Sequence, residues 1–298
     1  MTIKSISLPT ICGLLAIIFW SSSVAIIKSL SAKVGDIMPT VFVYLSGGIV
    51  LFLWERFSNS KGYFSFSRKY LATCGPLFII CMICFYLAVG ATSSQESAIG
   101  VGLANYTWPS LTLILSIPIL GKKAKPMLIL GIILASLGVF FAVSSSKEIT
   151  IDSFLTSLRI DALAYGLSAV AAFSWAFYSN YTVKLGSENK GNAVYLFMLA
   201  TGFIVLPYYL YTEQLPSIDL TTSIELFILA ATNTLGYLFW DYGIRKGNMI
   251  LISSFAYLTP LLSTLCTCLY LGLPIGTTIL LACMLIVSGA VVCSKTIR

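Results

Sequence analysis

Tyr106-Thr107-Trp108-Pro109 returns 151 residues later as Tyr257-Leu258-Thr259-Pro260, and that repetition decides how the chain is organised. At the same offset, without a gap, Tyr86-Leu87 aligns with Tyr237-Leu238, Ile99 with Ile250, Leu120-Gly121 with Leu271-Gly272, and Gly138 with Gly289. Shared leucines carry little weight in an apolar chain. The Tyr-x2-Pro pair and the matched glycines carry more, because Pro and Gly mark backbone positions that composition alone does not place. More loosely, Gly13 to Trp20 resembles Gly166 to Trp175.

The repeat lies in a chain of 298 residues that is 58% hydrophobic and 10% charged, with a mean hydropathy of +0.93. A soluble domain carries about 25% charged residues. Apolar runs between charged or turn-rich breaks give ten helix candidates: Leu8 to Ser31, Ile37 to Phe57, Tyr70 to Ala91, Ser97 to Gly121, Met127 to Ser144, Ala162 to Lys184, Ala193 to Tyr211, Ser223 to Arg245, Met249 to Gly272 and Ile275 to Ser294. Each is near the roughly 20 residues a membrane crossing needs, and together they leave no room for a soluble domain. The first run is read as an uncleaved helix, since its apolar stretch outruns a signal-peptide core. Residues 1–150 and 151–298 each hold five candidates, so the second half enters the membrane upside down relative to the first. The expected fold is an all-α integral membrane protein, ten transmembrane helices in a 5+5 inverted-repeat bundle. Inverted repeats are a signature of secondary transporters, with the solute site near midplane between the repeats.

Orientation follows from the basic residues, which are retained on the cytoplasmic side. Lys4; Arg56, Lys61, Arg68 and Lys69; Lys122, Lys123 and Lys125; Lys184 and Lys190; Arg245 and Lys246; and Lys295 and Arg298 fall on one side, 14 of the 18 cations. Lys28, Lys33, Lys147 and Arg159 fall on the other, with acids such as Asp36, Glu148, Asp161, Glu213, Asp219 and Glu225. Both termini are therefore expected in the cytoplasm. The net charge of +7 follows from this asymmetry and gives no reason to invoke nucleic acid.

Histidine is absent, which argues against His-based catalysis and zinc chemistry, and no Ser with a base or paired Asp suggests an enzyme. Neither metal nor cofactor is expected. The eight cysteines all fall in apolar runs, and the C-x-x-C of Cys81 and Cys84 lacks a second pair. Polar and aromatic groups collect in mid-span. Asn105, Trp108 and Thr112 are spaced i, i+3, i+7 on the fourth run, beside Tyr106. Pro109 removes a backbone donor there and frees a carbonyl. The alternative reading is a kink sealed by packing, with Trp108 filling the core. On the sixth run Trp175, Tyr178 and Thr182 repeat the spacing, and on the eighth Asn233, Tyr237 and Trp240 share a face. Tyr86 is the repeat mate of Tyr237. These residues describe a pocket with aromatic walls and neutral hydrogen-bonding groups, suited to a small planar or amphipathic solute. Pro109 and Pro260 are the candidate hinges. Asp241 is the acid placed clearly within a span; it reads either as a coupling group or as the partner of Arg245 one turn on.

On these residues the chain resembles the drug/metabolite transporter superfamily, built from two EamA-type halves, over nearly its whole length. The run Ala98 to Leu111, with Asn105-Tyr106-Thr107-Trp108-Pro109-Ser110-Leu111 at its core, is similar to the bacterial aromatic amino-acid exporters. Gly13-Leu14 through Trp20-Ser21, Leu45-Ser46-Gly47, Trp175 with Tyr178, and Gly243 with Gly247-Asn248 support it. The resemblance implies export of aromatic, and other neutral, amino acids across the bacterial inner membrane by alternating access, with a small-molecule substrate and the lipid bilayer as partners. It places Trp108 and Trp175 at the central cavity, with Tyr106 in its neighbourhood. Another solute in the same fold, such as S-adenosylmethionine, a nucleotide-like metabolite or a planar cationic drug, is the alternative. The family commonly has Asn after the eighth-helix Trp, where this chain has Asp241.

Overall fold

The computed structural model describes residues 6–35, 37–58, 66–93, 95–144, 151–186, 191–212, 216–271 and 277–297. Lys4, Asp36, Lys61, Lys147, Glu148, Lys190, Glu213 and Arg298, which enter the charge asymmetry, lie outside them. The chain is all-helical: α1 (Leu8–Val34), α2 (Ile37–Ser58), α3 (Arg68–Gly90), α4 (Gln95–Asn105), α5 (Trp108–Leu120), α6 (Met127–Ser144), α7 (Ile151–Ile160), α8 (Ala162–Gly186), α9 (Val194–Thr212), α10 (Leu220–Lys246), α11 (Met249–Phe255), α12 (Leu258–Leu271) and α13 (Thr277–Thr296).

Local chemistry sets many of the ends. Ser67 and Asp219 cap α3 and α10 by accepting the N–H of Tyr70 and Thr222, and Asn248 caps α11 by accepting the N–H of Leu251. Gly121 closes α5 at φ 66°, a left-handed conformation that glycine adopts without a Cβ clash. Two of the expected spans are not continuous helices. The fourth is broken at Tyr106-Thr107 into α4 and α5, and the ninth at Ala256-Tyr257 into α11 and α12, which are bent by 45°. In each case the break falls just before the proline, whose ring excludes a regular turn behind it. The additional helix α7 occupies what the sequence reading left as a connection.

Among the described residues, six spans are long and apolar enough to cross a membrane, and the bent α11–α12 pair makes a seventh; α1, α6 and α13 contain shorter apolar stretches. The protein is a multi-pass membrane protein. Its most extensive helix pairs are α6 with α13, α1 with α10, α3 with α8 and α2 with α9, followed by α5 with α8 and α1 with α12. Small residues let these backbones approach. A Cβ on Gly243 would fall 2.5 Å from Cα of Gly13, and one on Gly289 2.5 Å from the backbone nitrogen of Ala135. The largest buried cluster gathers Trp108, Trp175, Tyr178, Trp240 and Phe78. A second, on the α6–α13 side, holds Leu113, Ile250, Tyr257 and Ile286.

Candidate functional site

Four indoles meet where α1, α5, α8 and α10 converge. The Trp108 ring stands edge-on to Trp175 at 6.2 Å and to Trp240 at 5.3 Å between centroids. Trp20 reaches Trp175 at 5.6 Å and Trp240 at 5.4 Å. Tyr178 and Phe78 extend the cluster, with Trp175–Tyr178 at 5.1 Å and Phe78–Tyr237 at 5.2 Å. Edge-to-face pairs at this spacing are favourable beyond simple burial. Trp108 and Trp175 are only 7% and 6% exposed, so the cluster is a closed plug in this conformation.

Tyr237 joins the plug to a cavity of about 370 Å3 on one side of it, lined also by Tyr44, Met82, Tyr86 and Asn233. The Tyr237 hydroxyl is 3.1 Å from that of Tyr44 and 3.3 Å from the Met82 sulfur. The Asn233 amide nitrogen donates to Ser23 Oγ at 3.1 Å and to the Leu229 carbonyl at 3.0 Å. The cavity therefore has one aromatic wall and a few oriented polar groups, the usual make-up of a small-molecule site.

The eight expected site residues thus fall into three groups. Trp108, Trp175 and Tyr178 form the plug, while Tyr86, Asn233 and Tyr237 line the cavity on top of it. Asn105 lines neither this cavity nor the one at the opposite end of the plug. Tyr106 packs with the second buried cluster, its hydroxyl hydrogen-bonded to Ser263. The i, i+3, i+7 stripe assumes one continuous helix, and the break at Tyr106-Thr107 falls between Asn105 and Trp108. Thr112 spends its hydroxyl on the Trp108 carbonyl at 2.7 Å.

Both prolines lie at the breaks, and hydroxyls tie these to neighbouring helices. Tyr257 is hydrogen-bonded to Ser110 on α5. Ser21 on α1 donates to the Thr259 carbonyl at 3.2 Å, and Ser168 on α8 donates to the Val101 carbonyl at 2.7 Å. Near the end of α10, Asp241 is fully buried and paired with Arg245, whose Nε lies 2.8 Å and Nη2 2.5 Å from Oδ2. Arg245 Nη1 donates to the Gly186 and Gly191 carbonyls at 3.3 and 3.2 Å. The Tyr70 hydroxyl approaches Asp241 Oδ1 at 3.4 Å. No group of three or more His, Cys, Asp or Glu side chains that could hold a metal occurs among the described residues.

The sequence model of the EamA-like transporter family matches residues 8–144 and again 162–295. The chain belongs to the EamA-like transporter family. Among curated relatives of this EamA-like protein is the aromatic amino acid exporter YddG of Escherichia coli (strain K12), 29% identical over 286 residues, covering 95% of this chain and 96% of the relative. The protein of the same name from Salmonella typhimurium (strain 14028s / SGSC 2262) is 27% identical over 284 residues, with the same coverage. A protein crystal structure shares the fold with a TM-score of 0.79 at 21% identity, over 97% of this chain and 96% of the other.

One member of the aromatic plug in this EamA-like chain, Trp20, stands outside the pocket residues selected from sequence, as does Tyr44, whereas Trp240 was read on the face of Asn233 and Tyr237. A signal for Trp20 was present, since the loose match of Gly13–Trp20 to Gly166–Trp175 makes it the counterpart of Trp175. Its indole nitrogen is buried without a hydrogen-bond partner, and Gly236 opposite leaves room for it, since a Cβ there would come within 2.5 Å of that nitrogen. Trp240 differs in donating to Ser179 Oγ at 3.3 Å.

Proposed function

We propose that this protein exports aromatic amino acids, and other neutral amino acids, across the bacterial inner membrane by alternating access of two inverted repeats, residues 1–150 and 151–298, with both termini cytoplasmic. The observation that carries this reading is the stacked pair of features around Trp175, a closed plug of four tryptophans beneath a cavity with Tyr86, Asn233 and Tyr237 on its wall. An aromatic side chain is the solute group that such a plug can exchange for its own ring contacts, while the neutral hydroxyl and amide groups suit a zwitterion's two ends.

The pairing of helices supports the repeat. Exchanging α1 to α6 with α8 to α13 in order turns α1–α10 into α8–α3 and α1–α12 into α8–α5, and it leaves α2–α9 and α6–α13 unchanged. The two separate matches of the family model, residues 8–144 and 162–295, point the same way. In this mechanism the halves rock about the plug with Pro109 and Pro260 at the hinges, and the Tyr257–Ser110 and Tyr106–Ser263 bonds hold the two breaks in step. Substrate moves down its own gradient. A coupling step at Asp241 would require the pair with Arg245 to open, because a proton on that carboxyl removes the partner of a buried guanidinium.

Counterflow into proteoliposomes with labelled phenylalanine and tyrosine tests the proposal. Exchange that is competed by aromatic amino acids, and not by S-adenosylmethionine, nucleotides or planar cations, is expected. Flux no higher than in empty liposomes for every amino acid would overturn it.

A further inference from the structure

At the opposite end of the plug from the Tyr86–Tyr237 cavity, α10 meets α3 and α8 through a small set of polar groups. A recess of about 650 Å3 lies there, with Lys122, Arg245 and Lys246 among the residues that line it. From that wall Arg245 also reaches inward. Its Nε donates to Asp241, one turn back on α10, at 2.8 Å, and its Nη1 donates to the carbonyls of Gly186 at the end of α8 and Gly191 before α9. Tyr70 on α3 completes the cluster, its hydroxyl donating to Asp241 Oδ1 at 3.4 Å. Gly186 is seated between two of these side chains, since a Cβ there would lie 3.0 Å from Arg245 Cδ and 3.0 Å from a carbon of the Tyr70 ring.

The cluster adjoins the plug. Trp240, next to Asp241 in the chain, meets Trp108 and donates to Ser179 on α8. One turn after Tyr70, Cys74 is fully buried, and its sulfur accepts from the Thr182 hydroxyl of α8 at 3.6 Å. Among the described residues α10 packs extensively along α1 and α3 along α8, whereas α10 meets α8 over a much shorter interface. Parting these two pairs at this end therefore disturbs little packing and chiefly breaks the polar contacts. A buried ion pair adds little net stability, but it is specific in geometry. The planar guanidinium reaches the carboxylate and both carbonyls in one arrangement of the three helices.

We infer that Asp241, Arg245 and Tyr70 form a latch that holds α10 against α3 and α8, and that it opens for solute to pass between the recess and the plug. This rests on the alternating-access reading above and names the contact that closes one of its two faces, the one the basic residues assign to the cytoplasm.

Native cysteines supply the test. Cys74 lies behind the latch, and Cys293, equally buried on α13, lies outside it. The full chain, in vesicles of both orientations and without solute, is treated with a membrane-impermeant maleimide, and labelling is read at each cysteine by peptide mass spectrometry. When closing is fast, the labelling rate follows the open population. Arg245→Lys keeps a cation for Asp241 and loses the fork to the carbonyls. It is expected to raise Cys74 labelling from the cytoplasmic face about tenfold, the size that loss of one hydrogen bond from a charged group supplies, with Cys293 as slow as in wild type. Should that variant fail to accumulate, Tyr70→Phe keeps the ring on Gly186 and removes only the hydroxyl, for an expected rise of about threefold. Cys74 labelling no faster than in wild type would overturn the latch. So would Cys74 and Cys293 rising together, which marks a general loosening of the bundle, or a rise seen only from the opposite face. Because labelling needs no transport, a protein that moves no amino acid would sink the substrate reading in counterflow, while the latch is decided at Cys74.

Discussion

Trp175 touches more aromatic rings than its neighbours do, meeting Trp20, Phe78, Trp108, Tyr178, Tyr237 and Trp240. Removing it empties the plug as well as altering the site. Trp175→Ala is expected to cost about 3–5 kcal/mol, the range for deleting a buried large aromatic, and a strongly lowered melting temperature in detergent would show it. The milder Trp108→Phe and Trp175→Phe keep an aromatic face, so they should raise KM for aromatic solutes with much smaller thermal shifts. Transport kinetics unchanged in both would remove these rings from the substrate path. Arg245→Ala leaves Asp241 charged and unpaired in the interior, at a cost of about 3–5 kcal/mol. Pairing it with Asp241→Asn should recover much of the lost melting temperature. The sequence showed this pair through its i, i+4 spacing. It did not show the Gly186 and Gly191 carbonyls that complete it, because those residues lie more than fifty positions away in the chain. Trp20 illustrates the same limit, since its burial depends on the absence of a side chain at Gly236.

Apolar runs between charged breaks located the long helices of the described residues, because runs of spanning length leave few other solutions. The breaks before Pro109 and Pro260 were legible only in part: proline announced a disturbance, and where the helix would be interrupted depended on the surrounding packing. Tyr257→Phe removes the bond to Ser110 without changing the ring, so it should slow exchange more than it lowers the melting temperature. Equal transport by the variant would show that the tie has no part in the motion. Glycine packing gives a sharper contrast. Gly243→Val puts a branched side chain against the Gly13 backbone, and overpacking of this kind costs about 1–3 kcal/mol. At Gly166 nothing lies within 4 Å of a new Cβ, so Gly166→Ala should be neutral or slightly stabilising. Monodispersity and melting temperature of the two variants compare these directly. At the start of α10, hydrogen bonds from the Thr222 hydroxyl and N–H hold the Asp219 carboxyl below the usual carboxylate range. Its folded value is depressed, so its contribution is present above the unfolded pKa and is lost as the pH falls through the lowered one. Asp219→Asn should keep the cap and remove this acid-side loss, an effect kept small by exposure and readable as a flatter melting temperature below pH 4.

At the scale of the whole molecule, two recesses face each other across a sealed aromatic plug, one lined by tyrosines and Asn233, the other by cations. Charge asymmetry along the sequence puts Lys122, Arg245 and Lys246 on one expected side of the membrane. It could not anticipate that these cations surround a recess, which arises only when α1, α5 and α10 converge. The same convergence brings together tryptophans from four helices that are far apart in the chain. If the two halves rock about this plug, the plug must open for solute and its rings must part around an incoming one. The most direct test is a structure determined with a bound aromatic amino acid. The account predicts the solute ring lying against Trp108 and Trp175, with those two indoles drawn apart and the solute's polar end toward Tyr237 and Asn233. An ordered solute elsewhere, with the four tryptophans still closed on one another, would contradict it.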